Sequence, residues 1–185
     1  MGIDATSKLP EELVGRTEDF SNNTKPDVND VLKSFSEVKE MNISLMDIGV
    51  PLVFASIEKN RKGHVREMAN RLLERADFSG VKVLIFLEHT LDVSDIADAV
   101  WRFSNNVDPR RDHVIVGDRI AFDGTRKTKE HDGFTRDWPN ILASDEETIN
   151  RVDAIWDKLG LGPMIPSPSR KYRNQLYRGG AVVTE

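Results

Sequence analysis

The chain has 185 residues, enough for one domain with a sizeable core and a small appendage, but short of two full domains of typical size. Its 26 Lys and Arg stand against 31 Asp and Glu, a net charge of −5 that repels a polyphosphate backbone and speaks against nucleic acid as a partner. With 38% hydrophobic and 31% charged residues it has ordinary globular composition, so wholesale disorder is not expected. No run of about 18 apolar residues is present to span a bilayer, and no basic-then-apolar leader opens the chain, so a cytoplasmic protein is expected. The absence of cysteine removes disulfides, thiolate ligation and a Cys nucleophile.

Taken in order, Gly2-Ile3-Asp4-Ala5-Thr6-Ser7-Lys8 begins like the middle of a strand and turn. A polar stretch from Leu9 to Pro26 follows, read as linker for want of hydrophobic periodicity. Asp27 is placed to cap a helix with Val31, Leu32, Phe35 and Val38 on one face, ending near Met41. Val50 to Ile57 is apolar and β-branched, hence a strand, with Pro51 near its start. After Gly63, the positions Val65, Met68, Ala69, Leu72, Leu73 and Ala76 follow helical spacing, with charged residues on the other face.

Val81 to Leu87 is apolar at nearly every position, as for a central strand covered on both faces. Asp92 or Ser94 is expected to open the next helix, with Ile96, Ala99, Val100 and Phe103 facing inward, and Asp108-Pro109 to turn into a third strand at His113 to Val116. Two consecutive strand–helix–strand units predict an α/β fold, a small parallel or mixed sheet flanked by helices with right-handed crossovers. Arg119 to Phe122 can add a short strand. Ser144 with Glu147 reads as a capping box for a helix bearing Ile149, Val152, Ile155, Trp156 and Leu159, ended by Gly160. The expected organisation is a repeat remnant and linker over 1–26, an α/β domain over 27–162, and a basic tail over 163–185.

Ligands of open parallel sheets collect at the C-terminal strand ends. There the chain places Lys59, Arg61, Lys62 and His64 after one strand, Glu88, His89 and Asp92 after the next, and Asp118 after the third. Lys59, Arg61, Lys62, His64 and Glu88 are the candidates for an anion-binding site or a subunit contact, although Gly63 stands in neither a Walker loop nor a dinucleotide fingerprint. A Glu88–His89–Asp92 catalytic set is disfavoured, because adjacent strand residues point to opposite faces and Asp92 has a sufficient role as a cap. His64, His89, His113 and His131 share no metal-ligand spacing. Trp101, Trp138 and Trp156 suit core or interface positions. The basic tail, with Arg170, Lys171, Arg173, Arg178, Tyr172 and Tyr177, reads as a docked arm between subunits before it reads as an RNA contact.

Three stretches carry a family resemblance: Ala55-Ser56-Ile57-Glu58-Lys59-Asn60-Arg61-Lys62-Gly63-His64; Val81 to Asp98 with Trp101; and Val107-Asp108-Pro109-Arg110-Arg111-Asp112 followed by Phe122-Asp123-Gly124-Thr125-Arg126-Lys127. Over roughly residues 48–130 they resemble the C-terminal domain of the UbiD family of decarboxylases. Together with Ala121 before it, the last motif is echoed position for position, Ala121 to Lys127 at Gly2 to Lys8, which suggests a duplicated module. The resemblance implies a longer parent that adds or removes CO2 on aromatic or unsaturated acids, of the quinone biosynthesis type, using prenylated FMN with a divalent metal and potassium. The family's Glu-Arg-Glu catalytic set and its metal ligands lie in a domain upstream of the matched one, and nothing here matches them. The expectation is therefore a fragment without catalytic, cofactor-binding or metal residues, serving assembly as a homo-oligomer with the parent's catalytic domain. The alternative is a freestanding protein that binds an anionic small molecule at the strand ends.

Overall fold

The computed structural model describes residues 23–136 and 138–176. The repeat echo at Gly2 to Lys8, most of the linker, and Tyr177 and Arg178 lie outside them. The chain divides into two compact units, Met1–Thr135 and Arg136–Glu185.

The first unit is a mixed α/β domain. Its strands are β1 (Val38–Asn42), β2 (Leu52–Ile57), β3 (Val83–Glu88), β4 (His113–Val116) and β5 (Arg119–Asp123), in the spatial order β1-β2-β3-β5-β4. β2, β3 and β5 run parallel, while β1 and β4 are antiparallel edges on β2 and β5. The helices are α1 (Val28–Ser34), α2 (Ser44–Asp47), α3 (His64–Leu73), α4 (Ile96–Asn106) and α5 (Lys129–Asp132).

The alternation of side chains along a strand divides the core in two. Val53, Ala55 and Ile57 of β2 and Leu84 and Phe86 of β3 meet Val65, Met68, Ala69, Leu72 and Leu73 of α3. Phe54, Ile85, Leu87 and Phe122 turn the other way, to Leu91, Val93 and Ala99 around α4, where Phe103 meets Phe122 edge to face at 5.4 Å. β3 is thus apolar from Val83 to Leu87, where both of its faces are covered, and ends in Glu88.

Several local expectations change. The first helix stops at Ser34 rather than near Met41. Val38 to Asn42 instead pairs with the otherwise open edge of β2, where Val38 is buried. Asp95, not Asp92 or Ser94, caps α4 by accepting from the Asp98 amide at 3.0 Å; Asp92 holds the Ser94 amide in the preceding turn. Val100 lies on the outer face of α4, 47% exposed.

The third parallel strand is β5, not His113 to Val116. That segment enters as the outer arm of a hairpin whose turn is Gly117-Asp118, with Gly117 at φ 61° as a two-residue turn of this kind requires. The second connection therefore runs from β3 through α4 and the edge strand β4 before it reaches β5, which lies parallel to β3.

In the second unit, α6 (Glu146–Ile155) is capped by Asp145, which accepts from the Thr148 amide, rather than by Ser144 with Glu147. A 3-10 turn over Trp156–Leu159 ends at Gly160 with φ 66°, and α7 (Ser169–Tyr172) follows. The Trp156 indole donates to the Gly162 carbonyl at 3.0 Å, and Arg170 pairs with Asp153 at 2.9 Å.

Candidate functional site

At the C-terminal ends of β2, β3 and β5 the structure assembles a buried network of charges. Lys59 follows β2, and its ammonium donates to the Thr125 hydroxyl (2.9 Å), the Arg126 carbonyl (2.8 Å) and the Asp132 carboxylate (2.8 and 3.0 Å). Lys127, 2% exposed, turns back onto the carbonyls of Asp123 and Thr125, both at 2.7 Å, and lies 3.1 Å from the Asp123 carboxylate and 3.7 Å from Asp112. Asp112 also receives the Arg111 guanidinium through two bonds of 2.7 Å and the Asp108 amide at 2.8 Å. Burial alone would raise the Asp132 carboxyl, but the hydrogen bonds from Lys59 and the Thr128 amide outweigh it and hold the group below its ordinary range.

An ammonium has three donors, and both lysines have three or more acceptors in reach, so neither is free to act as a nucleophile or base in this arrangement. Their role is to hold the 123–132 segment against the ends of β2 and β3. Glu88 joins them from β3 by accepting from the Arg126 amide, and the Gly124 amide reaches the Phe86 carbonyl at 2.8 Å. Gly124 has to be small: a Cβ there would stand 2.9 Å from the Phe86 carbonyl oxygen and from the Leu87 side chain.

Of the five sequence candidates, Lys59 and Glu88 meet in this network. Arg61 is turned elsewhere, with two hydrogen bonds to Glu67 from Nη2 at 2.9 and 3.0 Å and a longer pairing with Glu37 at 3.7 Å. His64 is fully buried at the start of α3. Its Nδ1 accepts from the Asn60 amide at 3.3 Å, so the neutral ring carries its proton on Nε2, which faces Glu37 Oε1 at 3.7 Å. Burial holds this imidazole below its ordinary value of 6.5; Arg61 adds to the effect, and Glu37 and Glu67 oppose it. Lys62 is exposed.

Sequence reasoning missed Lys127, Asp112, Thr125 and Asp132 as members of the network. Three of them stand in the Asp-Pro-x-x-Asp and Phe-Asp-Gly-Thr-Arg-Lys motifs, where the four-residue spacing of Asp123 and Lys127 was the available signal. Asp132 lay in a stretch with no motif.

Above the network is a cleft of about 220 Å³ between α3 and β4. Its apolar wall includes Val65, Ala69, Val114 and Ala121, and its polar lining includes Lys62, Arg66, Arg111 and His131. Among the described residues, no group of three or more His, Asp or Glu side chains comes together to hold a metal, so the ion implied by the resemblance has no ligand set there.

A mixed five-stranded sheet between helices, with a motif-bearing turn clamped at the strand ends by buried lysines, defines the class: a small α/β domain. The family description "3-octaprenyl-4-hydroxybenzoate carboxy-lyase C-terminal domain" matches residues 23–131, more than half of the chain, and the chain belongs to that family. The match begins 25 residues before the stretch read from sequence, taking in α1 and β1.

An uncharacterized protein of Aquifex aeolicus is 34% identical over 124 residues, covering 58% of this chain and 25% of that protein. One of Aeropyrum pernix is 27% identical over 168 residues, covering 74% and 34%. Among solved structures, the vanillic acid decarboxylase of Sedimentibacter hydroxybenzoicus in closed form aligns with a TM-score of 0.55 at 14% identity, over 73% of this chain and 31% of that one. Its open form aligns at 0.52 and 15%. These structures share the fold. The chain spans about a quarter to a third of the length of the relatives it matches.

Proposed function

We propose that this chain is the noncatalytic assembly portion of a UbiD-like carboxy-lyase acting on aromatic or unsaturated carboxylic acids, of the quinone biosynthesis type. The chemistry would belong to the upstream catalytic domain with its prenylated FMN, divalent metal and potassium. What the chain itself supplies is a rigid sheet and a surface for other subunits. Family membership supports the first part, and the use of both buried lysines as structural ties supports the noncatalytic role.

The observation that carries the assembly reading is in the second unit. Around α6 and the segment after it, Leu142 is 83% exposed, Leu161 and Ile165 64%, and Met164 47%, while Ile149 is the buried residue of the helix. Apolar side chains concentrated in so small a unit mark a surface that a partner covers. The test is the mass of the full chain by size-exclusion chromatography with light scattering across a hundredfold concentration range. A homo-oligomer is expected, and Leu161→Asp with Ile165→Asp should shift it toward monomer without loss of circular dichroism. A monomer at every concentration, or CO2 release from 4-hydroxybenzoate by this chain supplied with prenylated FMN, would overturn the reading.

A further inference from the structure

The cleft between α3 and β4 is not used by the lysine network beneath it. Its carboxylates are already satisfied: Asp112 by Arg111 and the Asp108 amide, Asp123 by Thr125 and Lys127, Asp132 by Lys59 and the Thr128 amide. The cations on the α3 side are not. Lys62 has no carboxylate within ion-pair distance among the described residues, and Arg66 makes one long hydrogen bond, Nη2 to the His113 carbonyl at 3.5 Å. Two positive side chains thus border a cavity whose buried negative charge is neutralised. Behind them Val65, Ala69, Val114 and Ala121, all at least nine-tenths buried, form an apolar wall. A polar rim with unspent donors over an apolar wall is the form of a small-molecule site.

We propose that this cleft binds a small organic acid, with its carboxylate between Lys62 and Arg66 and its apolar body against Val65, Ala69 and Val114. The rim supplies charge-assisted hydrogen bonds, which in a partly dry cleft favour a carboxylate over water. The wall selects against anions that have no apolar part, because a fully hydrated ion gains nothing from contact with it. The site needs neither the upstream catalytic domain nor the assembly surface, so it stands or falls separately from the function proposed above.

The test uses the full chain, with benzoate as the organic acid and inorganic phosphate as the anion without an apolar body. Titration followed by amide chemical shifts should show saturable changes at Val65, Arg66 and Val114 with benzoate, and much weaker ones with phosphate. Lys62→Gln and Arg66→Gln each remove an exposed cation and leave the core untouched; each should weaken benzoate binding about tenfold, the effect of losing one charge-assisted bond. Lys33→Gln, on α1, serves as the control and should change nothing. The proposal is overturned if benzoate gives no saturable shifts at these amides, if both cleft variants bind as the parent does, or if phosphate binds as tightly as benzoate.

Discussion

Lys59 and Lys127 show how a basic residue at a strand end can be structural. Each is almost wholly enclosed, and a charge in that position is tolerable only while its partners remain. Replacing Lys59 by Met leaves Asp132 with a buried charge and no cation, and should cost about 3 kcal/mol in urea unfolding. The double variant Lys59→Met with Asp132→Leu should recover a large part of that loss, since removing both charges also removes the desolvation penalty. His64 gives a second residue-scale prediction. Its protonation is disfavoured in the folded state, so the unfolded chain takes up more protons as pH falls below the ordinary value of 6.5. The stability contributed by the neutral ring is thus complete above 6.5 and is lost as pH falls toward the lower folded value. A series of unfolding curves between pH 7.5 and 5 should show this decline, and His64→Gln, which keeps an acceptor for the Asn60 amide, should flatten it over the same window.

The elements differ in how openly the sequence declares them. α3 was legible because its apolar positions are spaced for one face and its charged positions for the other, and β3 because an unbroken apolar run suits a strand covered twice. β1 was hidden: Val38 continues the helical spacing of Val31 and Phe35, and only pairing with β2, more than ten residues ahead, decides for a strand. β4 was found but misplaced, because a hairpin and a parallel crossover strand share the same local pattern and differ only in which neighbour each strand takes. Gly124 marks a constraint of the same long-range kind, as its space is limited by β3 rather than by its own loop. Gly124→Ala would press a methyl group against the Phe86 carbonyl and should destabilise by about 1–3 kcal/mol, read as a lower denaturant midpoint with an unchanged slope.

At the scale of the whole molecule, the sequence identified the α/β class and the family through motifs that turn out to be the ties of the strand-end network. Whereas Asp118 sits in the β4–β5 turn and pairs with Lys82 just before β3, at the opposite end of the parallel strands, the strand-end candidates after β2 and β3 were legible as a group of polar residues in the right place. Their partners were not, since Lys59 and Asp132 are separated by 73 positions and meet only after the sheet has formed. The hairpin at the sheet edge also bears on the order of assembly. β4 precedes β5 in the chain, yet β5 occupies the place beside β3 and is, among the described residues, the only strand that β4 pairs with. While the chain is emerging, β4 has nothing in the sheet to join until residues 119–123 have followed it out. The two strands are joined by a two-residue turn, the shortest loop available to them. In the folded sheet the hairpin partner β4 thus covers the outer edge of β5, so the last parallel strand does not stand as an open border for another chain to extend.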